Sequence, residues 1–101
     1  MQKVSFPEPL SFGLERYDKR LRLIIFNGTE EWVCHKVSVK DAKAFLEQET
    51  AHLFKGRLQL DKKGGLILVS VKGNDVGMIS SSDFSRLMSK ELQAAYLTRC
   101  F

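Results

Sequence analysis

Leu21-Arg22-Leu23-Ile24-Ile25-Phe26-Asn27-Gly28 is the stretch that decides the fold. Six residues dense in Leu and Ile read as a strand. Asn27-Gly28 directly after them is a strong hairpin signal, because the central residues of a type I′ turn need positive φ. Trp32-Val33-Cys34-His35-Lys36-Val37 returns as the partner strand, aromatic and β-branched. Upstream, Leu10, Phe12 and Leu14 alternate with polar or small residues, the pattern of a half-buried strand. The prolines Pro7 and Pro9 keep the segment before it extended and out of any sheet centre. Downstream, Ser38-Val39-Lys40-Asp41 opens a helix. The Ser38 hydroxyl can accept from free amides of the first turn, with Asp41 as the acidic member of a capping-box variant. Val39, Ala42, Phe45, Leu46 and Leu53 hold helical spacing, and Lys55-Gly56 reads as the stop.

The second half repeats the plan. Leu21, Leu23, Ile24, Phe26 and Gly28 match Leu66, Leu68, Val69, Val71 and Gly73 at an offset of 45. Ser38, Asp41, Phe45 and Leu46 match Ser80, Asp83, Leu87 and Met88 at an offset of 42. Between these blocks, Arg57–Leu60 and Val76–Ile79 read as strands and Lys72-Gly73-Asn74-Asp75 as a tight turn. Leu66–Val71 is apolar at nearly every position, which predicts a central, covered strand. The expected fold is α+β: two βββα units in tandem about a pseudo-two-fold, with a mostly antiparallel sheet and two helices packed on it. The first unit spans residues 10–54 and the second 56–101, within one domain of 1–101. A unit of this size cannot keep its own sheet and helix faces dry, so each needs the other.

Composition bounds the class. The chain has 101 residues, 44% of them hydrophobic and 28% charged, with a net charge of +4. That is the mix of an ordinary globular domain, too apolar for disorder. No stretch approaches the length of a membrane span, and residues 1–7 lack the apolar run of a secretory signal. Two cysteines, Cys34 and Cys100, make no disulfide framework and read as reduced thiols. A cytoplasmic location is therefore expected.

The positive excess is uneven. Residues 1–54 hold 8 basic and 8 acidic side chains, whereas residues 55–101 hold 8 and 4. Lys55, Arg57, Lys62, Lys63 and Lys72 cluster around one strand and its turns, and Arg20 and Arg22 hold the corresponding place in the first unit, beside Arg16 and Lys19. Together they form a candidate phosphate-tracking strip, with Tyr17 or Trp32 available to stack on unpaired bases. Opposed to this, lysines on a hairpin also keep a sheet edge from aggregating, and Glu15, Asp18 and Asp61 dilute the strip. In topology alone, the strand-rich repeat plus helix resembles the whirly-type single-strand binders. Those build each unit from four strands where three read here, and none of their motifs is present, so no family residue is carried over.

Chemistry is sparse. His35 and His52 are the only histidines, and neighbours Cys34 and His35 on a strand point to opposite faces. Metal-ligand spacings, a nucleophile elbow and phosphate-cradling glycine loops are all missing from the sequence. Ser80, Ser81 and Ser82 have a sufficient role at the helix start. Gly77, inside a strand, marks a bulge or a close approach, with room for Trp32 or a helix side chain. A non-enzymatic binding module with no metal and no cofactor is expected. Its first reading is a protein-interaction or homo-oligomerising accessory protein, homodimer included, using a sheet edge or an apolar patch of Trp32, Phe12 and Phe101. The alternative is nucleic-acid binding through the basic hairpins. No membrane partner is expected.

Overall fold

A computed structural model describes residues 2–99. The first unit holds β1 (Lys3–Ser5), β2 (Leu10–Tyr17), β3 (Arg20–Asn27), β4 (Glu30–Ser38) and α1 (Val39–Glu47). The second holds β5 (Thr50–Leu53), β6 (Leu58–Lys63), β7 (Leu66–Val71), β8 (Asn74–Ser80) and α2 (Ser81–Arg99). Each set of four strands is an antiparallel meander, in the orders β1-β2-β3-β4 and β5-β6-β7-β8. The fold is α+β, and its two halves are consistent with tandem units.

Each unit has one more strand than the three expected. In the first, the prolines do not extend a strand but turn it. Phe6 N–H donates to Leu10 O and Leu10 N–H to Pro7 O, across a cis Glu8–Pro9 bond, and this folds β1 back onto β2. In the second, Thr50–Leu53 leaves the expected helix and pairs with Leu60–Lys63. The helix ends at Glu47, eight residues before Lys55, because a strand partner outcompetes local helical spacing. The division between units therefore lies after α1 rather than at Gly56, and the first unit begins before residue 10. Both serine caps form as read: Ser38 Oγ accepts from Asp41 N–H at 3.1 Å, and Ser80 Oγ from Asp83 N–H at 3.0 Å.

The repeat is real, but its offset is not 45. An odd shift inverts the pleat. Leu21 is fully buried, whereas Leu66, its expected counterpart, is 52% exposed. The hairpins align instead at an even offset, with β3 two residues longer than β7. Both carry a β-bulge at the same place. Ile25 faces Val33 and Phe26 faces Glu31, so Trp32 is an extra residue. Val69 faces Gly77 and Ser70 faces Asp75, so Val76 is another. Each is the third residue of its strand.

The inner faces of both sheets and the apolar sides of both helices share one core. Phe84 of α2 lies between Phe12 of β2 and Phe45 of α1, with ring centroids 6.0 and 6.1 Å apart. Each helix thus reaches into the other unit: α1 touches β4 and β5, and α2 touches β8 and β2. Phe12 is therefore core and not partner surface. Phe101 lies outside the described residues. β7 is central as expected but covered on one face only, since Leu66 and Leu68 point away from the core.

Gly77 explains itself here. A Cβ at this position would overlap the ring of Phe6, so the close neighbour is the residue after β1, not Trp32 or a helix side chain. Gly77→Ala is expected to destabilise the fold by about 1–3 kcal/mol through this overlap. In a Phe6→Ala background the same change should cost close to nothing. Denaturant unfolding of the four variants measures the coupling, and an equal cost in both backgrounds would refute the contact.

Candidate functional site

The pleat and the Trp32 bulge decide what the outer face of the first sheet carries. Counted back from the Asn27–Glu30 pair without a bulge, Arg22 would face His35. With the extra residue it faces Lys36, and His35 turns inward. The outward residues are then Tyr17, Glu15, Gly13 and Ser11 on β2, Arg20, Arg22, Ile24 and Phe26 on β3, and Ser38, Lys36 and Cys34 on β4. Lys3 extends the row from β1, its ammonium 3.8 Å from the centre of the Phe26 ring.

This face has two electrostatic halves. Along its middle, Arg22 is spent. Its guanidinium makes a two-pronged contact with Glu31 at 2.7 and 2.9 Å and also bonds Glu15 at 2.6 Å. The Glu31 bonds, with a smaller contribution from Glu15, outweigh partial desolvation and push the Arg22 pKa above the ordinary arginine value. A raised pKa stabilises the folded state wherever the group is charged in both states, and that contribution fades only as pH rises past the arginine range. Arg22 therefore gives no pH dependence near neutrality.

At the β2–β3 hairpin end the cations have fewer acidic partners. Tyr17 and Arg20 are the cross-strand pair that closes the hairpin, and Arg20 faces Ser38 on its other side. Tyr17 is 52% exposed, and the Lys36 ammonium lies 4.1 Å from its ring centre. Arg16 Nε–H donates to Asp18 O, which holds another cation at the same turn. Two grooves meet here and share Arg20 and Lys36. One, of about 360 Å³, is lined by Tyr17, Asp18 and Lys19 besides. The other, of about 330 Å³, is lined by Val37, Ser38, Asp41, Leu53 and Phe54 besides.

The cations expected to form one strip are divided. Lys55 and Arg57 are exposed on the loop after Phe54, and Lys72 N–H donates to Arg57 O at 2.8 Å, so these three gather at one end of the second sheet. That loop lies against β4. His35 stacks on Phe54 with centroids 4.8 Å apart, and a Cβ on Gly56 would come within 3.1 Å of its Nε2. Lys63 sits at the opposite end of β6, beside the Gly64–Gly65 turn. Lys62 is no surface cation. It is buried on the inner side, where its ammonium donates to Gln48 O at the end of α1, a helix with no basic residue in its own last turn. Arg22 is held by two carboxylates. Of the first-unit candidates, Arg20, Lys19 and Tyr17 line a groove, and Arg20 lines both. Lys36, Phe54 and Asp41 were missed as site residues, since only the bulge and the β5 pairing bring them together.

The outer face of the second sheet differs. Leu66 and Met78 are 52% and 58% exposed, and Leu68, the cross-strand partner of Met78, is half-buried beside them. His52 and Asp61 pair on the same face. Trp32, 40% exposed, stands apart at the bulge of β4. Among the described residues there is no group of three metal-ligating side chains and no helix long and apolar enough to cross a membrane. Compared with family models, with curated proteins and with solved structures, the chain matches none.

Removing the Arg22 guanidinium leaves Glu15 and Glu31 facing each other on one sheet. All three side chains are partly solvated, so the loss is modest. Arg22→Met is expected to lower stability by about 1 kcal/mol, the upper range for such pairs. Urea unfolding checks it, and a gain in stability would contradict the bridging role.

Proposed function

We propose that the chain is a non-enzymatic binding module for single-stranded nucleic acid, held at the β2–β3 hairpin end of the first sheet. One observation carries this reading: Arg20 and Lys36 straddle two adjoining grooves, with the exposed Tyr17 ring in one and Phe54 in the other. Phosphates supply most of the non-specific affinity through such cations, and bases stack on such rings. Lys19 and Arg16 border the same end, and Lys55 follows Phe54 in the chain. The four strands per unit remove one departure from the whirly-type layout, which is support at the level of fold alone. The reading places the protein in the cytoplasm, where Cys34 stays reduced.

A labelled single-stranded oligonucleotide is expected to bind in the micromolar range at low salt. Three or four phosphate contacts give a slope at which affinity falls about 20- to 50-fold between 50 and 200 mM salt. Arg20→Ala with Lys36→Ala should abolish most of the binding, whereas Lys63→Ala should leave it nearly intact. Fluorescence anisotropy measures all three. Binding that ignores salt and the double variant would refute the assignment.

A second reading, contact with a protein partner or another copy of this chain, is favoured by the uncovered Leu66–Leu68–Met78 surface of the second sheet. Under it, light scattering should give twice the chain mass at high concentration. Leu66→Glu with Met78→Glu should return the monomer without changing nucleic-acid affinity. A monomer throughout would remove the self-association form of this reading.

A further inference from the structure

The groove of about 330 Å³ between β4, the start of α1 and the end of β5 holds one feature that phosphate binding alone does not explain. Beside Arg20 and Lys36 it is lined by the acidic residue Asp41. Asp41 stands in the first turn of α1, where a carboxylate suits the helix dipole, and in a groove that takes a nucleotide the same group can accept from a hydrogen-bond donor. The donors of a nucleotide are its sugar hydroxyls and its base N–H groups.

Asp41 is available for this. It is exposed, and its carboxylate enters none of the ion pairs found among the described residues. Its counterpart in the second unit, Asp83, is engaged by Arg86 at 3.2 Å, three residues on. Three residues after Asp41 stands Ala44. Besides Ser38, the rest of the lining is apolar: Val37, Leu53 and Phe54, with the His35 ring 4.8 Å from the Phe54 ring and supporting it. Two cations, an aromatic ring and an acidic residue of α1 in one groove suit the phosphate, base and sugar of one nucleotide.

Building on the single-strand reading, we propose that this groove takes one ribonucleotide of an RNA strand, with Asp41 accepting a hydrogen bond from the 2′-hydroxyl. That hydroxyl is what separates RNA from DNA at a given contact. The strand bound by this protein is then RNA, and Asp41 is its specificity-determining residue.

Two uracil oligonucleotides of about twelve nucleotides, one ribo and one deoxy, differ only in the 2′-hydroxyl and leave the base unchanged. The native protein is expected to favour the ribo strand by about fivefold, the worth of one hydrogen bond of roughly 1 kcal/mol. Asp41→Ala keeps the backbone amide that Ser38 caps, so the helix start survives, and a thermal melt confirms folding. In this variant the ribo-to-deoxy ratio should fall to about one, while both affinities hold or rise as a negative charge is lost. Equal affinities in the native protein, or a preference that persists in Asp41→Ala, would overturn the inference and leave the single-strand reading standing. Failure of both strands to bind would overturn that reading itself, and this one with it.

Discussion

The first sheet of this protein cannot dry its inner face with its own helix. α1 has nine residues, of which Ala42 and Phe45 are buried, and that is too little to cover four strands. The second helix makes up the deficit by crossing over. Phe84 stands between Phe12 and Phe45, so one ring from the second unit closes the aromatic core of the first. Phe6, just after β1, closes the opposite side by lying on Gly77 of β8. The two halves exchange apolar surface in both directions, which is why the core is a single cluster and not two.

With the inner faces committed to this core, the outer faces carry what is left for recognition. Their content is set by one inserted residue in each edge strand. Trp32 and Val76 shift the pairing by one, and everything on the turn-distal side of them changes face. In the first sheet the shift brings Lys36 out beside Arg20 and Tyr17, and sends His35 in against Phe54. In the second it brings Met78 out beside Leu68 and sends Ile79 in. The same device in the two units yields a basic aromatic surface on one and an apolar surface on the other, because the side chains on either side of the bulge differ.

Charge count is a poor guide to this division. Arg22 and Lys62 both belong to basic runs, yet one is neutralised between two glutamates and the other serves the carbonyl end of α1. Cations that remain for a partner are those at strand ends and turns, where hairpin geometry leaves fewer carboxylates opposite them. The proposed site sits at such an end, with α1 and β5 supplying its far wall.

Much of the architecture is legible from residues 10–38 and 57–83 alone. Alternating apolar residues, the Asn27–Gly28 turn and the two Ser-x-x-Asp caps are local signals, and they act within a few residues of where they are written. These fix the hairpins, the helix starts and the doubling of the unit. What they cannot carry is pairing between segments far apart or a shift of one residue in register. Thr50–Leu53 becomes a strand only because Leu60–Lys63 lies alongside it, and Pro7–Pro9 becomes a turn only because β1 finds β2. The faces of Lys36 and His35 depend on a bulge that leaves Val33 and Val37 on the buried side. Local chemistry is short-ranged and readable residue by residue; the site needed strands, a helix start and a loop to meet in space, and only the shared core brings them together.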